Sequence, residues 1–154
     1  MKKNLALQMI IILMLSFSFA CNSYKNEKQL SVSASEAFYK NYNEKNFQQI
    51  ADDQIDSTFN SARKDKMLEK LKTFKDILGN INNKELEKID AKSFEQDSVL
   101  VFCNYRLQSE NGNYYQRVIW RVNGEKPVLS DVLTYSYNEK GEVQLLVIEG
   151  KLIY

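Results

Sequence analysis

The hydrophobic pattern of this chain changes its period once, at Gly79, and that change constrains the fold more than any other feature. Before Gly79 the apolar residues recur every three or four positions, which is the spacing of an amphipathic helix. After it they alternate with polar residues, which is the pattern of half-buried strands. Helices followed by an antiparallel meander predict an α+β fold. We expect N-terminal helices packed on a curved, cone-like antiparallel sheet of four to six strands.

Three segments before Gly79 carry helical signals. Ser33 opens a capping box and predicts a helix that runs to about Glu44, and a short helical turn follows at Phe47. Ser61 opens the clearest helix, which ends at Gly79, where a left-handed residue stops a helix. An apolar stripe predicts its buried face: Met67, Leu68, Leu71, Phe74, Ile77 and Leu78. Charged residues predict the solvent face: Lys64, Lys66, Glu69, Lys70, Lys72 and Lys75.

Five strand segments follow, with turn residues between them. They are predicted at 86–94, 98–107, 114–122, 128–137 and 142–149. Asn111-Gly112 and Asn123-Gly124 are hairpin signals, because asparagine and glycine both accept positive φ. The last segment, with the apolar residues up to Tyr154, is either a buried final strand or an edge strand that pairs with another chain.

The first 20 residues have the layout of a secretory signal peptide. Lys2 and Lys3 precede an apolar run from Leu5 to Leu15, which only Gln8 interrupts, and small residues then lead to Cys21. We therefore predict a signal peptide at 1–20, a lipidated tether at 21–29 and a single α+β domain at 30–154.

Ala20 and Cys21 resemble the end of a bacterial lipoprotein signal, in which the cysteine becomes the acylated first residue of the mature protein. The resemblance implies a lipid-anchored protein of the bacterial cell envelope, facing the periplasm and held in the bilayer by palmitate-like chains on Cys21. Asn22 stands where an aspartate commonly signals inner-membrane retention, which favours the outer membrane. Two alternatives stay open, namely release as a soluble secreted protein and retention as an uncleaved anchor. The 16 residues from Leu5 to Ala20 fall just short of the roughly 17–25 that span a bilayer.

Net charge and cysteine content indicate which partners and which reactive groups the protein can have. The chain has 21 basic and 20 acidic residues, so loss of Lys2 and Lys3 with the signal leaves a formal charge of −1. Because positive and negative charges are balanced and no long run of basic residues occurs, the sequence does not indicate nucleic-acid binding. If Cys21 is acylated, Cys103 is the one remaining thiol, and its apolar neighbours predict a buried, unreactive side chain.

Four short segments carry a second resemblance: Ala37–Tyr39, Asn46–Ile50, Leu71–Gly79 and Val118–Trp120. Their order resembles the nuclear-transport-factor-2-like fold, also called cystatin-like, as found in small lipoproteins of uncharacterised families. The resemblance implies a bent sheet around a helix with a pocket at the open end. Members of this fold include enzymes and proteins without catalysis, so the fold alone assigns no activity.

The candidate contact residues lie on one face of the strand at 114–122. Its apolar face, which carries Val118, Trp120 and Val122, is expected to pack on the helices. The opposite face, on the outside of the sheet, carries Tyr115, Arg117 and Arg121, and Tyr135 lies on the next strand. These four residues predict either a site for an anion or partner, or a solvated face with cross-strand ion pairs.

The composition favours binding over catalysis. Histidine is absent, which removes the commonest general base and most zinc sites, and no metal-ligand or phosphate-loop spacing occurs. We predict a non-catalytic, membrane-anchored binding module without metal or cofactor, whose partner is an envelope protein, a small apolar ligand or a second copy paired through a sheet edge or face. Two alternatives stay open. One is a small enzyme that uses carboxylate–tyrosine chemistry, with Asp131 and Tyr105 among its candidates, and the other is an immunity or inhibitor protein against an envelope toxin.

Overall fold

The computed structural model describes residues 24–95, 97–124, 126–137, 143–145, 147–148 and 151–152. Three helices come first: α1 (Lys25–Asn43), α2 (Phe47–Asp53) and α3 (Ser61–Leu78). Four long strands follow: β1 (Ile81–Phe94), β2 (Ser98–Ser109), β3 (Gly112–Asn123) and β4 (Lys126–Tyr137). Three short strands end the described chain: β5 (Val143–Leu145), β6 (Val147–Ile148) and β7 (Lys151–Leu152). The predicted α+β class, with helices N-terminal to an antiparallel sheet, is confirmed.

The sheet is an open meander in which each strand pairs antiparallel with the next. Its order is β1-β2-β3-β4-β5, and β6 pairs with β7 in a separate two-stranded sheet. The strands β2, β3 and β4 extend one or two residues beyond their predicted bounds, while β1 begins five residues earlier than predicted. In the two predicted Asn-Gly turns the glycines take positive φ, 141° at Gly112 and 69° at Gly124, and the asparagines before them do not.

The core lies between the helices and the inner face of the sheet, and Trp120 of β3 is at its centre. The indole is completely buried and donates from Nε1 to Ser35 Oγ of α1 at 2.9 Å. The Ser35 hydroxyl donates in turn to the Ser31 carbonyl at 2.8 Å. Two small side chains on successive turns therefore let α1 approach the indole closely. Val118 and Val122 are buried on the same face, as predicted.

The predicted start of the first helix at Ser33 is wrong, because α1 begins at Lys25. The helix thus includes residues 25–29, which were assigned to the tether. These residues are lysine, asparagine, glutamate and glutamine, most of which favour helix, and Glu27 in the first turn complements the helix dipole. Leu30 packs against the core and anchors this part of the helix to the domain. The local capping signal at Ser33 is overridden by these contacts.

Two lysines of α3 that were predicted on the solvent face are buried, each with 6% exposure. Lys70 Nζ lies 2.8 Å from Asp131 Oδ1 of β4. Lys75 Nζ donates to the Asn43 carbonyl at 3.3 Å and lies 4.9 Å from the centre of the Tyr42 ring. Burial lowers the pKa of Lys75. Both lysines flank the apolar stripe, and their aliphatic stems cover it while their ammonium groups reach partners on other elements.

Candidate functional site

All four predicted contact residues lie on the outer side of the sheet. Tyr115, Arg117 and Arg121 are half-buried on β3, and Tyr135 lies opposite Tyr115 on β4. The two tyrosine rings meet edge to face, with 6.1 Å between their centres. Arg117 is the next outward residue on β3. The structure therefore brings Tyr115, Arg117 and Tyr135 together, while Arg121 lies four residues beyond Arg117.

Arg117 is held in place by the neighbouring strand. Its Nε donates to Asn104 Oδ1 of β2 at 2.7 Å, and its guanidinium carbon lies 5.9 Å from the centre of the Phe102 ring. Asn104 is 1% exposed, and its amide nitrogen donates to the Lys88 carbonyl of β1 at 3.3 Å. The buried carboxamide therefore connects three strands and fixes the direction of the arginine.

Phe102 lies between two cations. Lys92 Nζ of β1 is 5.2 Å from the ring centre, and Arg117 approaches the same ring. Cations near an aromatic face are attracted by the negative potential of the ring. We use the name outer patch for these four residues together with the neighbouring tyrosine pair: Lys92, Phe102, Asn104, Tyr115, Arg117 and Tyr135.

Lys92, Phe102 and Asn104 were not predicted as site residues from the sequence. The register of the β2–β3 hairpin is a signal that could have identified Asn104 and Phe102. The hairpin pairs Ser109 with Gly112, and counting five residues away from the turn on each strand pairs Asn104 with Arg117. The same register places Phe102 on the outer face. In the sequence Phe102 belongs to an apolar run with Cys103, and the run conceals that its members face opposite sides of the sheet.

The Arg121 side chain connects β3 to the loop between α2 and α3. Its Nη2 lies 2.7 Å from Asp56 Oδ1 and 3.3 Å from Thr58 Oγ1, in the connection between α2 and α3. Asp56 is 2% exposed and also accepts hydrogen bonds from the backbone N–H and the hydroxyl of Thr58. The Asp56 N–H donates to the Leu129 carbonyl of β4 at 3.2 Å. Arg121 therefore has a structural partner, and we leave it out of the outer patch.

A surface cleft of about 630 Å³ lies beside Arg121. Its lining includes the carboxylates of Glu95 and Asp97, as well as Thr58, Ser98 and Asn123. These carboxylates oppose the binding of an anion at Arg121, whose own charge is already paired with Asp56.

Polar and aromatic side chains fill the space between α1 and the sheet. The Tyr39 hydroxyl donates to Gln116 Oε1, and the Gln116 amide donates to Thr134 Oγ1, both at 2.8 Å. All three side chains are at most 3% exposed, and burial raises the pKa of Tyr39 well above its ordinary value. These contacts connect α1 with β3 and β4 in the interior of the described domain. Asp131, the candidate carboxylate of the enzyme alternative, is paired with Lys70, and its side chain is 36% exposed.

Cys103 is completely buried on β2, beside the hydroxyls of Ser35 and Tyr105. Burial raises the pKa of Cys103 to about 11 and also raises the pKa of Tyr105. The thiol is therefore protonated at neutral pH, which makes it a poor nucleophile. The predicted burial of this cysteine is confirmed.

Within the described ranges, no group of three or more cysteine and carboxylate side chains has the arrangement of a metal site. No helix in the same ranges combines the length and hydrophobicity that crossing a bilayer requires. The predicted signal peptide and Cys21 lie outside the described residues. Comparison of the chain with protein-family profiles, curated proteins and solved structures finds no match. The lipoprotein and fold-family resemblances therefore stay predictions.

Proposed function

We propose that this protein is a lipid-anchored bacterial envelope protein that acts as a non-catalytic interaction module and contacts a protein partner through its outer patch. The observation that carries the proposal is the placement of Arg117. Its guanidinium is held by buried Asn104 against the Phe102 ring, next to the Tyr115–Tyr135 pair. Arginine and tyrosine are enriched at the energetic centres of protein interfaces. A side chain that is already held in one orientation loses less entropy on binding.

The charges of the outer patch indicate the chemistry of the partner. Its six residues include two cations, Lys92 and Arg117, and the one carboxylate opposite Phe102 on β1, that of Asp90, is paired with Lys88 at 2.9 Å. Aromatic rings lie on both sides of the arginine. A guanidinium binds a carboxylate through charge-assisted hydrogen bonds, which are stronger than neutral ones. The patch therefore suits a protein surface on which an acidic side chain is surrounded by apolar residues.

Acylation of Cys21 is the second part of the proposal, and it rests on the sequence. Three residues separate Cys21 from Lys25, where α1 begins. The four Cα–Cα steps between them span at most about 14 Å. An acylated Cys21 would therefore hold the start of α1 close to the bilayer surface. Partners in the same membrane, or near its surface, would then be within reach of the domain.

Photo-crosslinking in cells tests the contact surface. A photoreactive phenylalanine analogue at Tyr135 is expected to yield an adduct with one discrete protein. The same analogue at Lys72, which is exposed on α3, is expected to yield none. Addition of Arg117→Ala to the Tyr135 probe is expected to weaken binding about 30-fold, because loss of a central interface arginine costs about 2 kcal/mol. Because binding is weaker, the yield of the cross-linked adduct should fall when the partner is not in excess.

Arg63→Ala is the matched control for this experiment. Arg63 is an exposed arginine on α3, where it stacks on Phe59 at 3.6 Å, away from the outer patch. Its removal is expected to leave the Tyr135 adduct unchanged. Equal adducts at Tyr135 and Lys72, or an adduct that Arg117→Ala does not reduce, would remove the outer patch from the proposal.

A further inference from the structure

A cleft between α3 and β4 is lined mainly by basic side chains that the proposed function does not use. It has a volume of about 230 Å³. We use the name basic cleft for the described residues that line it: Arg63, Lys66, Met67, Lys70, Ser130 and Asp131. Three of them are cations and one is a carboxylate, so the lining has a formal charge of +2. Asp65 and Glu69 of α3 are not among the described lining residues.

The three cations of the basic cleft lie along one face of α3. Arg63, Lys66 and Lys70 are separated by three and four positions, a spacing at which like charges repel and weaken a helix. Among the described residues, neither Arg63 nor Lys66 forms an ion pair that would offset this repulsion. Arg63 also lies in the first turn of α3, where the positive end of the helix dipole disfavours a cation. A bound anion would relieve both effects.

Two of the cations are held in place by other side chains. The guanidinium carbon of Arg63 lies 3.6 Å from the centre of the Phe59 ring. Lys70 is 6% exposed, and its Nζ donates to Asp131 Oδ1 at 2.8 Å. An ammonium group carries three donors, and Asp131 is the one acceptor that Lys70 has among the described residues. This buried cation therefore has donors left for a ligand in the cleft.

A β-bulge forms the other wall of the basic cleft. The register between β3 and β4 shifts here, which leaves Ser130 as an extra residue of β4. Bulges change the direction of side chains and are frequent beside functional sites. This one adds the Ser130 hydroxyl, a further donor, to the lining. The Oδ1 atom of Asp131 accepts from both Lys70 and the N–H of Val132, which weakens its repulsion of an anion.

We propose that the basic cleft binds a phosphate monoester group. Such a group has a charge of about −1.5 to −2 at neutral pH and three acceptor oxygens, so it matches the net charge and the donors of the cleft. Its hydrogen bonds to guanidinium and ammonium groups are charge-assisted. A phosphate diester carries a single charge and would leave part of the positive charge unbalanced.

The basic cleft and the outer patch have no residue in common. The phosphate proposal therefore does not depend on the protein partner, and failure of one proposal is distinguishable from failure of the other. A soluble ligand and a lipid headgroup can both present a phosphate monoester, and the experiment has one arm for each source.

Titration with methyl phosphate is the first arm. In the intact protein, held in non-ionic detergent, the NMR signals of the Arg63, Lys66 and Ser130 amides are expected to shift until they saturate. Methyl phosphate is expected to bind about tenfold more tightly than dimethyl phosphate, which has one charge.

Lipid nanodiscs are the second arm, because phosphatidic acid carries the same group on a lipid. Shifts of the three amides on transfer from phosphatidylcholine discs to discs that contain phosphatidic acid would assign the group to a lipid headgroup. Shifts with methyl phosphate alone would assign it to a soluble ligand. Either result supports the proposal, and the absence of saturable shifts in both arms would overturn it.

Substitutions on α3 test which residues bind the phosphate. Lys66→Gln and Arg63→Gln are each expected to weaken methyl phosphate binding about tenfold, because each removes a charge-assisted hydrogen bond. Lys72→Gln is the matched control, at an exposed lysine of the same helix outside the described lining, and the affinity is expected to stay within about twofold.

Circular dichroism establishes that each variant is folded, and all three positions are exposed. Binding that Lys66→Gln and Arg63→Gln do not weaken, or that Lys72→Gln weakens as much as Lys66→Gln, would overturn the proposal. Equal affinity for methyl phosphate and dimethyl phosphate would overturn it as well.

Discussion

Replacement of Trp120 by alanine is expected to lower the free energy of unfolding by about 3–5 kcal/mol. The indole is completely buried between α1 and β3, with Val118 and Val122 on either side of it along the strand. Strand pairing on both sides of β3 prevents the sheet from closing over the space that the indole leaves. The cost therefore combines lost burial with an unfilled cavity.

Trp120→Phe separates the contribution of apolar ring packing to stability from the contribution of the hydrogen bond to Ser35. Phenylalanine retains most of the apolar contact but removes the donor to Ser35, and the expected loss is about 1–2 kcal/mol. Urea unfolding followed by far-ultraviolet circular dichroism measures both variants without relying on the fluorescence of the one tryptophan in the chain. A loss below about 1 kcal/mol for Trp120→Ala would contradict the packing of α1 on the sheet.

Replacement of Asp56 by alanine is expected to lower the free energy of unfolding by about 2–4 kcal/mol. The carboxylate is buried against Arg121, whose side chain is 22% exposed, so one charge would be left half-buried without its partner. The N–H of Thr58 would also lose its acceptor. A double-mutant cycle with Arg121→Ala is expected to give a coupling of about 1–3 kcal/mol, because the two side chains are in direct contact.

The matched comparison for this pair is Arg117→Ala. Its partner Asn104 is neutral, and removal of the arginine would open the Asn104 oxygen to water, so the expected loss of stability is about 1 kcal/mol. Arg121 should therefore affect folding, and Arg117 should affect binding. If Arg117→Ala destabilises the protein as much as Arg121→Ala does, both arginines belong to the scaffold and the outer patch loses its central residue.

The fold was largely predictable from the sequence because periodicity reports burial directly. The alternation around Trp120 identified the inner face of β3, and Gly79 marked the end of α3 with φ 72°. The start of α1 was missed because its helical extension depends on the contact between Leu30 and the core. Lys70 was wrongly predicted on the solvent face of α3, because its partner Asp131 lies 61 positions away in the sequence.

The candidate site was predictable only in part. Arg117 and Arg121 occupy equivalent positions in the alternating pattern, and nothing local distinguishes them. They differ because Arg121 reaches Asp56, which lies 65 positions earlier in a loop, whereas Arg117 meets Asn104 through the β2–β3 register. Hairpin register can be counted from a turn, but a loop that closes over the edge of a sheet leaves no periodic signal.

The most direct test of the account is the mass of the mature protein extracted from cell membranes, together with its thiol count. We predict a chain that begins at an acylated Cys21 and has one titratable thiol, that of Cys103. This thiol should be unreactive in the folded protein and reactive in denaturant, since it is completely buried. A chain that retains Met1, or a cleaved chain with two free thiols, would contradict the lipid anchor on which the proposed function depends.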